Sequence, residues 1–142
     1  HLRGVHSGPV PVHDIGIWVG AYGPRALNLT GRLADGWVPS IRPDVLARLA
    51  EMNARVDEGA SEAGRHPGEV RRVFNVNGSI TDGRTEGFLN GPVGQWADEL
   101  GTLVVDHRAQ IIVFWGAGGE GHEQLRRFAE EVVPATRAIL DG

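Results

Sequence analysis

Four times along this chain a strand-like run gives way to a stretch with helical periodicity, and this alternation constrains the fold more than any other feature. The runs cover residues 15–19, 36–38, 70–80 and 111–115. A strand buried on both faces reads as a continuous apolar run, as in a parallel sheet. Strands alternating with helices imply parallel pairing and right-handed crossovers. The reading is therefore α/β, with four consecutive parallel βα units in a single domain over residues 1–142.

The helices follow from proline, glycine and spacing. Pro24 suits a first helical turn, where its missing N–H is no loss, and Ala26, Leu29 and Leu33 are expected to form the buried face. Pro43 opens a second helix whose Leu46, Leu49, Asn53, Val56, Ala60 and Ala63 share one stripe, with Gly64 and Pro67 ending it. Gly59 inside it is expected to cost about 1 kcal/mol against alanine. Val70, Phe74, Val76 and Ile80 share one parity of the third strand. Residues 81–91 are a loop. Val93, Trp96, Ala97, Leu100, Leu103 and Val104 make the strongest amphipathic pattern. A last helix carries Leu125, Phe128, Ala129, Val132 and Val133, with a kink or restart at Pro134. Residues 1–14 read as an extended lead-in segment.

Charge and composition narrow the function. A net charge of −4 argues against nucleic acid or an anionic membrane surface as main partner. The basic pairs Arg71-Arg72 and Arg126-Arg127 are read as solvated faces. There is no cysteine, which removes disulfides, thiolate zinc sites and thiol chemistry and fits a cytoplasmic protein. No apolar run approaches a ~20-residue membrane span, and the start of the sequence has no signal-peptide pattern.

The best local site signal is Gly20-Ala21-Tyr22-Gly23-Pro24-Arg25, where a strand ends, two glycines turn the chain and a helix begins. The first N–H groups of such a helix lack acceptors and point beyond the strand's carboxyl end, with the positive end of the helix dipole behind them. Gly20 and Gly23 would admit a phosphate close to the backbone, and Arg25 can add charge. The loop matches neither the Walker pattern nor the Gly-x-Gly-x-x-Gly fingerprint, so a plain tight turn stands beside the phosphate reading. Gly116 to Gly121 is a second glycine-rich turn, equally readable as a ligand loop or a surface turn.

Other candidates are plainer. Asp35 can touch a ligand or satisfy backbone donors at its turn, and Trp37 reads as core. Asn75 and Asn77 share a strand face that can line a polar pocket. The six histidines (His1, His6, His13, His66, His107, His122) show no metal-ligand spacing, and Asp106-His107 is adjacency only. No nucleophile elbow or acid–base set is visible.

The stretch GIWVGAYGPRALNLTGRLADGWVPS resembles the luciferase-like monooxygenase superfamily, most closely the branch using the deazaflavin coenzyme F-420. EAGRHP and FAEEVVPATR extend the likeness over roughly residues 9–140. The resemblance implies a (β/α)8 TIM barrel, typically ~250 residues, of which this chain matches the second half. It implies that Gly20, Ala21, Tyr22 and Gly23 hold the phosphate of F-420, or of FMN, through backbone amides. It also implies a small-molecule substrate, with the ring contacts and proton donors coming from the first half. The DHRAQ stretch at residues 106–110 departs from the glycine-containing turn of the family.

A half-barrel exposes its inner face, here residues such as Ile17, Val19, Val76, Ile112 and Phe114 in one parity or the other. The expected partner is the missing N-terminal half or a second copy. The competing readings are an open Rossmann-like domain, whose strand order reverses, and a non-catalytic remnant. Against the first, Asp35 stands only 15 residues past Gly20, short of the usual ~20.

Overall fold

The computed structural model describes residue 8, residues 11–116 and residues 121–142. Most of the lead-in segment (1–7, 9 and 10) and residues 117–120 of the second glycine turn lie outside the described residues.

The elements run β1 (Trp18–Val19), α1 (Pro24–Leu33), β2 (Gly36–Trp37), β3 (Ser40–Ile41), α2 (Pro43–Leu46), α3 (Leu49–Glu62), β4 (Arg71–Ile80), β5 (Asn90–Gly91), α4 (Val93–Val105), β6 (Ile111–Gly116), α5 (Gly121–Arg127) and α6 (Val133–Asp141). The six strands form one sheet, and every strand pair is parallel. Gly36 pairs Arg71 and Ser40 pairs Asn75 at the same offset, so β2 and β3 are one strand line interrupted at Val38–Pro39. Asn75 pairs both Ser40 and Val113, which puts β6 on the far side of β4. Apart from the two-residue β5, which pairs the carboxyl end of β4, the strand lines therefore follow chain order: β1, β2–β3, β4, β6. No reversal occurs, and the Rossmann-like alternative fails on that point.

One face of this sheet holds the core. Trp37, Ile41, Phe74, Val76 and Ile80 share a register face and meet Leu27, Leu49, Val56, Trp96 and Leu103 from the helices, all nearly inaccessible to solvent. Each of α1 to α4 contributes to this single cluster. Val19, Val76, Ile112 and Phe114 also turn to the helices, which corrects their expected place on an open inner face. The other parity carries Trp18, Val38, Asn75, Asn77, Val113 and Trp115, and there Trp18 is 46% and Trp115 61% exposed. Trp18 packs against Gly36, where a Cβ would fall 2.7 Å from its ring.

Helix α1 corrects the expected face. Ala26, Leu29 and Leu33 are exposed, and Leu27, Thr30 and Gly31 are buried. The reason is close packing. A Cβ on Gly31 would run into the Val56 carbonyl, and one on Gly59 into the Asn28 carbonyl. Two glycines let α1 and α3 cross almost backbone to backbone, so Gly59 is a contact residue and not merely a propensity penalty.

The expected helix over 43–64 breaks at Ala47–Arg48 into α2 and α3. Its stop is as read: Gly64 takes φ 71° and Arg65 N–H closes onto Ala60 O at 2.9 Å. The last helix restarts at Pro134, which stands in the first turn of α6. A π-turn at Phe128–Val132, with Val133 N–H reaching Phe128 O, carries the helix into α6.

Arg72 corrects the solvated-face reading of its pair. It is 3% exposed on the helix side of β4. Its Nε donates to Asn53 Oδ1 at 2.8 Å, its Nη1 to Val70 O and its Nη2 to Asp57 Oδ1, both at 2.5 Å. Asn53, the polar exception of the α3 stripe, is thus the ligand of a buried cation. Burial pulls the Arg72 pKa down, and Asp57 opposes that pull.

Candidate functional site

The carboxyl ends of parallel strands are where such sheets hold ligands, and two features meet there. The first is the Gly20–Pro24 loop. Pro24 starts α1, and the first intrahelical bond runs from Leu27 N–H to Gly23 O at 2.9 Å. The amides of Arg25 and Ala26 therefore have no helical acceptor. No side chain caps them, and no acidic residue stands in the first turn.

Neither glycine is required by the fold. Gly23 has φ −85° and ψ 149°, an extended conformation open to any residue, and a Cβ there meets nothing within 4 Å. A Cβ on Gly20 would make an ordinary 3.5 Å contact with Val38 O. The bare backbone above the helix start is thus left unexplained by packing, and an uncapped, acid-free N-terminus with open space over it fits a phosphate.

The loop is tied to its neighbours by its other two residues. Ala21 is buried, and its carbonyl accepts Trp37 Nε1–H at 3.0 Å. The Tyr22 hydroxyl accepts Ser40 N–H at 2.8 Å. The Arg42 guanidinium sits 5.8 Å from the Tyr22 ring centroid and is bound by both Asp44 oxygens at 3.2 and 3.3 Å. The Asp44 carboxyl is held below its usual range by the Arg42 hydrogen bond. Arg25 lies instead in a surface depression with Asn28, Arg32, Glu58 and Glu62, and does not line the groove described next.

The second feature is a groove of about 740 Å³ beyond β3, β4 and β6, lined by Ser40, Arg42, Asn75, Asn77, Phe88 and Trp115 among others. Asn75 and Asn77 come together here as their shared parity requires. Trp115 Nε1–H points at Asn75 Oδ1 at 3.4 Å. Glu86, Gly87, Phe88 and Asn90 form the third wall.

Sequence reasoning missed Ser40 and Arg42 because Pro39 hid the continuation of the second strand. It missed Phe88 because it stands in a loop. Trp115 had a signal: it pairs Asn77 in register, so it shares the face of the two asparagines. The remaining candidates take the plain roles. Asp35 Oδ2 accepts Ile17 N–H at 2.7 Å, and Trp37 is fully buried. His107 offers its carbonyl to Asn53 at 3.3 Å. Among the described residues no three His, Asp or Glu side chains gather as metal ligands, and no helix is long and apolar enough to cross a membrane. The Gly116–Gly121 turn falls largely outside the described residues.

Residues 1–86 match the family model of the luciferase-like monooxygenases. The phthiodiolone/phenolphthiodiolone dimycocerosates ketoreductase of Mycobacterium tuberculosis is 33% identical over 124 residues, which is 84% of this chain and 30% of that protein. The F420-dependent glucose-6-phosphate dehydrogenase of Microbacterium testaceum is 32% identical over 66 residues, 46% of this chain and 20% of that protein. Among solved structures, an F420-dependent secondary alcohol dehydrogenase, solved with an F420-acetone adduct, superposes with a TM-score of 0.68 at 14% identity, covering 89% of this chain and 50% of that one. The coenzyme F420 dependent tetrahydromethanopterin reductase of Methanopyrus kandleri gives 0.60 at 15% identity, covering 85% and 51%. The chain thus spans about half the length of these solved proteins and under a third of these curated relatives. Its four βα units correspond to half of a (β/α)8 barrel.

Proposed function

The chain belongs to the luciferase-like monooxygenase family, and on that premise we propose that it supplies the cofactor-phosphate loop of a flavin- or deazaflavin-dependent oxidoreductase. Gly20, Ala21, Tyr22 and Gly23 hold the phosphate of coenzyme F-420, or of FMN as the alternative, with the free amides of Arg25 and Ala26 as donors and the Arg25 side chain adding charge. One observation carries the reading: two glycines that neither φ nor packing demands stand over an uncapped helix start at the carboxyl end of the sheet.

When bound, the cofactor supplies the hydride chemistry, or oxygen activation in the FMN case. The residues of this chain position and neutralise. Tyr22, through Ser40 N–H, fixes the loop to the strand that leads into the groove. The groove residues Asn75, Asn77 and Trp115 face a small-molecule substrate. Among the described residues, the ionisable groups lining the groove are the carboxylate of Glu86 and Arg42, which is paired with Asp44. The proton donors are therefore assigned to a complementary half of the barrel, and the 142-residue chain alone is expected to bind without turning over.

Calorimetric titration of the chain with FMN, F-420 and their phosphate-free forms tests this. The phosphorylated forms should bind at least tenfold tighter. Equal affinities with and without the phosphate would remove the loop assignment.

A further inference from the structure

The wall of the groove opposite the asparagines contains a backbone anomaly. Leu89 has φ 52°, the left-handed region that a branched side chain enters only under constraint, and it is completely buried. Strained residues of this kind persist when the surroundings over-determine them, and they concentrate where a ligand surface must be held in place.

The constraint comes from helix α4. Leu89 N–H donates to Glu99 Oε2 at 2.6 Å. Gln95 Nε2 donates both to Gly87 O at 2.6 Å and to Glu99 Oε1 at 3.1 Å. From the other side Leu89 O accepts Ser79 N–H at 3.0 Å, and a Cβ on Gly78 would overlap that carbonyl. Glu86 N–H closes the turn onto Asn90 O at 2.8 Å. The side chains of Gln95 and Glu99 lie one turn apart on α4 and meet the loop from behind, while Glu86, Phe88 and Asn90 line the groove in front.

We propose that Glu99, with Gln95, is a positioning residue of the ligand site: it holds Leu89 in its strained conformation so that Glu86 and Phe88 stand as a preformed wall of the groove. The inference rests on the reading of that groove as the substrate side of the cofactor site. It gives a role to a carboxylate that touches no ligand and makes the wall, and not only the strands, a determinant of which substrates fit. The wall needs both carboxylate oxygens as acceptors, one for a backbone N–H and one for Gln95. A glutamine keeps one acceptor, whereas a leucine keeps none.

The experiment is amide hydrogen exchange and side-chain NMR on the full chain and on Glu99→Leu, Glu99→Gln and Gln95→Ala. In Glu99→Leu, exchange at Leu89 and Asn90 should speed at least 100-fold and the Phe88 ring resonances should shift, while the β4 amides of Val73 to Val76 stay protected. Glu99→Gln, which keeps one acceptor and sets an NH2 against the other donor, should lie between Glu99→Leu and the parent, and so should Gln95→Ala. The proposal is overturned if Glu99→Leu leaves residues 87–90 protected, or if it accelerates exchange equally over the whole sheet, which makes Glu99 a general core support. Should Glu99→Leu fail to fold, the Gln95→Ala and Glu99→Gln pair carries the same decision. Inorganic phosphate titrated into each variant should bind alike. Loss of phosphate binding in the unaltered chain would strike the cofactor reading and leave the wall's exchange pattern to stand or fall separately.

Discussion

The carbonyl of Val56 occupies the place where a side chain on Gly31 would begin, and Gly59 meets Asn28 in the same way one turn further along α3. The two contacts fix how closely α1 can approach α3, and hence where the start of α1 sits above the sheet.

Gly31→Ala and Gly59→Ala are therefore expected to destabilise. Helix propensity alone favours alanine by about 1 kcal/mol. Overpacking against a neighbouring backbone opposes it by about 1–3 kcal/mol or more, because a carbonyl cannot rotate aside like a side chain. Urea denaturation should show both variants less stable than the parent, and a stabilised variant at either site would refute the close crossing.

This contact also marks what the sequence can and cannot show. The stripe of α4 is local, so Trp96 and Leu100 could be placed in the core directly, whereas the period of two in β4 gives Val76 and Ile80 a shared parity without saying which face that parity meets. The face of α1 could not, because its burial is set by where α3 lies, and a small residue at the crossing outweighs Leu29 and Leu33. Arg72 was illegible for a similar reason: its partners Asn53 and Asp57 are on another element. The loop proposed to hold a phosphate stands out in the sequence because strand end, glycines and helix start are contiguous. The groove was only half so, since its walls come from segments far apart in the chain.

Asp57 joins two arginines, with Arg72 Nη2 on one oxygen and Arg108 Nη2 at 2.7 Å on the other. Arg108 has φ 62°, a left-handed conformation that glycine adopts without strain. Asp57→Asn leaves a buried cation without its counter-charge and should cost about 3–5 kcal/mol. Arg108→Gly loses only a half-exposed ion pair, worth about 0–1 kcal/mol, and gains about 1–2 kcal/mol from relief of the left-handed strain, so its stability should change little. Denaturation midpoints of the two variants check the ranking, and the reverse order would overturn it.

Acid should release the surface pairs in a defined direction. Arg42 depresses Asp44, and Arg126 depresses Glu123, in each case chiefly through the hydrogen bond. A lowered folded-state pKa means that the pair's contribution is present above the ordinary carboxylate value and is lost as pH falls through the folded value. Carboxyl carbon NMR titrations should place both midpoints below the ordinary 3.8 of Asp and 4.5 of Glu. Midpoints at or above those values would show that the pairs do not persist in solution.

Gly23 separates binding from folding. Its extended backbone and open surroundings admit a side chain without strain, so Gly23→Val should unfold at nearly the parent's urea midpoint. The same valine stands over the free amides of Arg25 and Ala26 and should weaken phosphate or cofactor binding at least tenfold. A folded Gly23→Val variant with unchanged affinity would falsify the phosphate assignment.

The open face of the sheet calls for a partner. Among the described residues, four parallel units in chain order leave β1 and β6 as edges, and only closure of a barrel removes such edges. The face between them carries Trp18, Val38, Ile111, Val113 and Trp115, none of them fully buried. Full burial of an exposed apolar side chain is worth about 1.5–3 kcal/mol; these five are partly covered already, so each gains a fraction of that, most of it at Trp18 and Trp115. The chain should therefore pair with a complementary half-barrel or with a copy of itself. The tryptophans report on this, because Trp37 and Trp96 are already fully buried while Trp18 and Trp115 are not. Pairing should shift the emission to shorter wavelength and protect Trp115 from a soluble quencher, and both changes should grow with protein concentration if the partner is a second copy. Sedimentation gives the stoichiometry directly. A compact 15.3 kDa monomer at all concentrations, with no binding of an apolar-surface dye and with Trp115 open to the quencher, would mean that the face is stable in water and needs no partner.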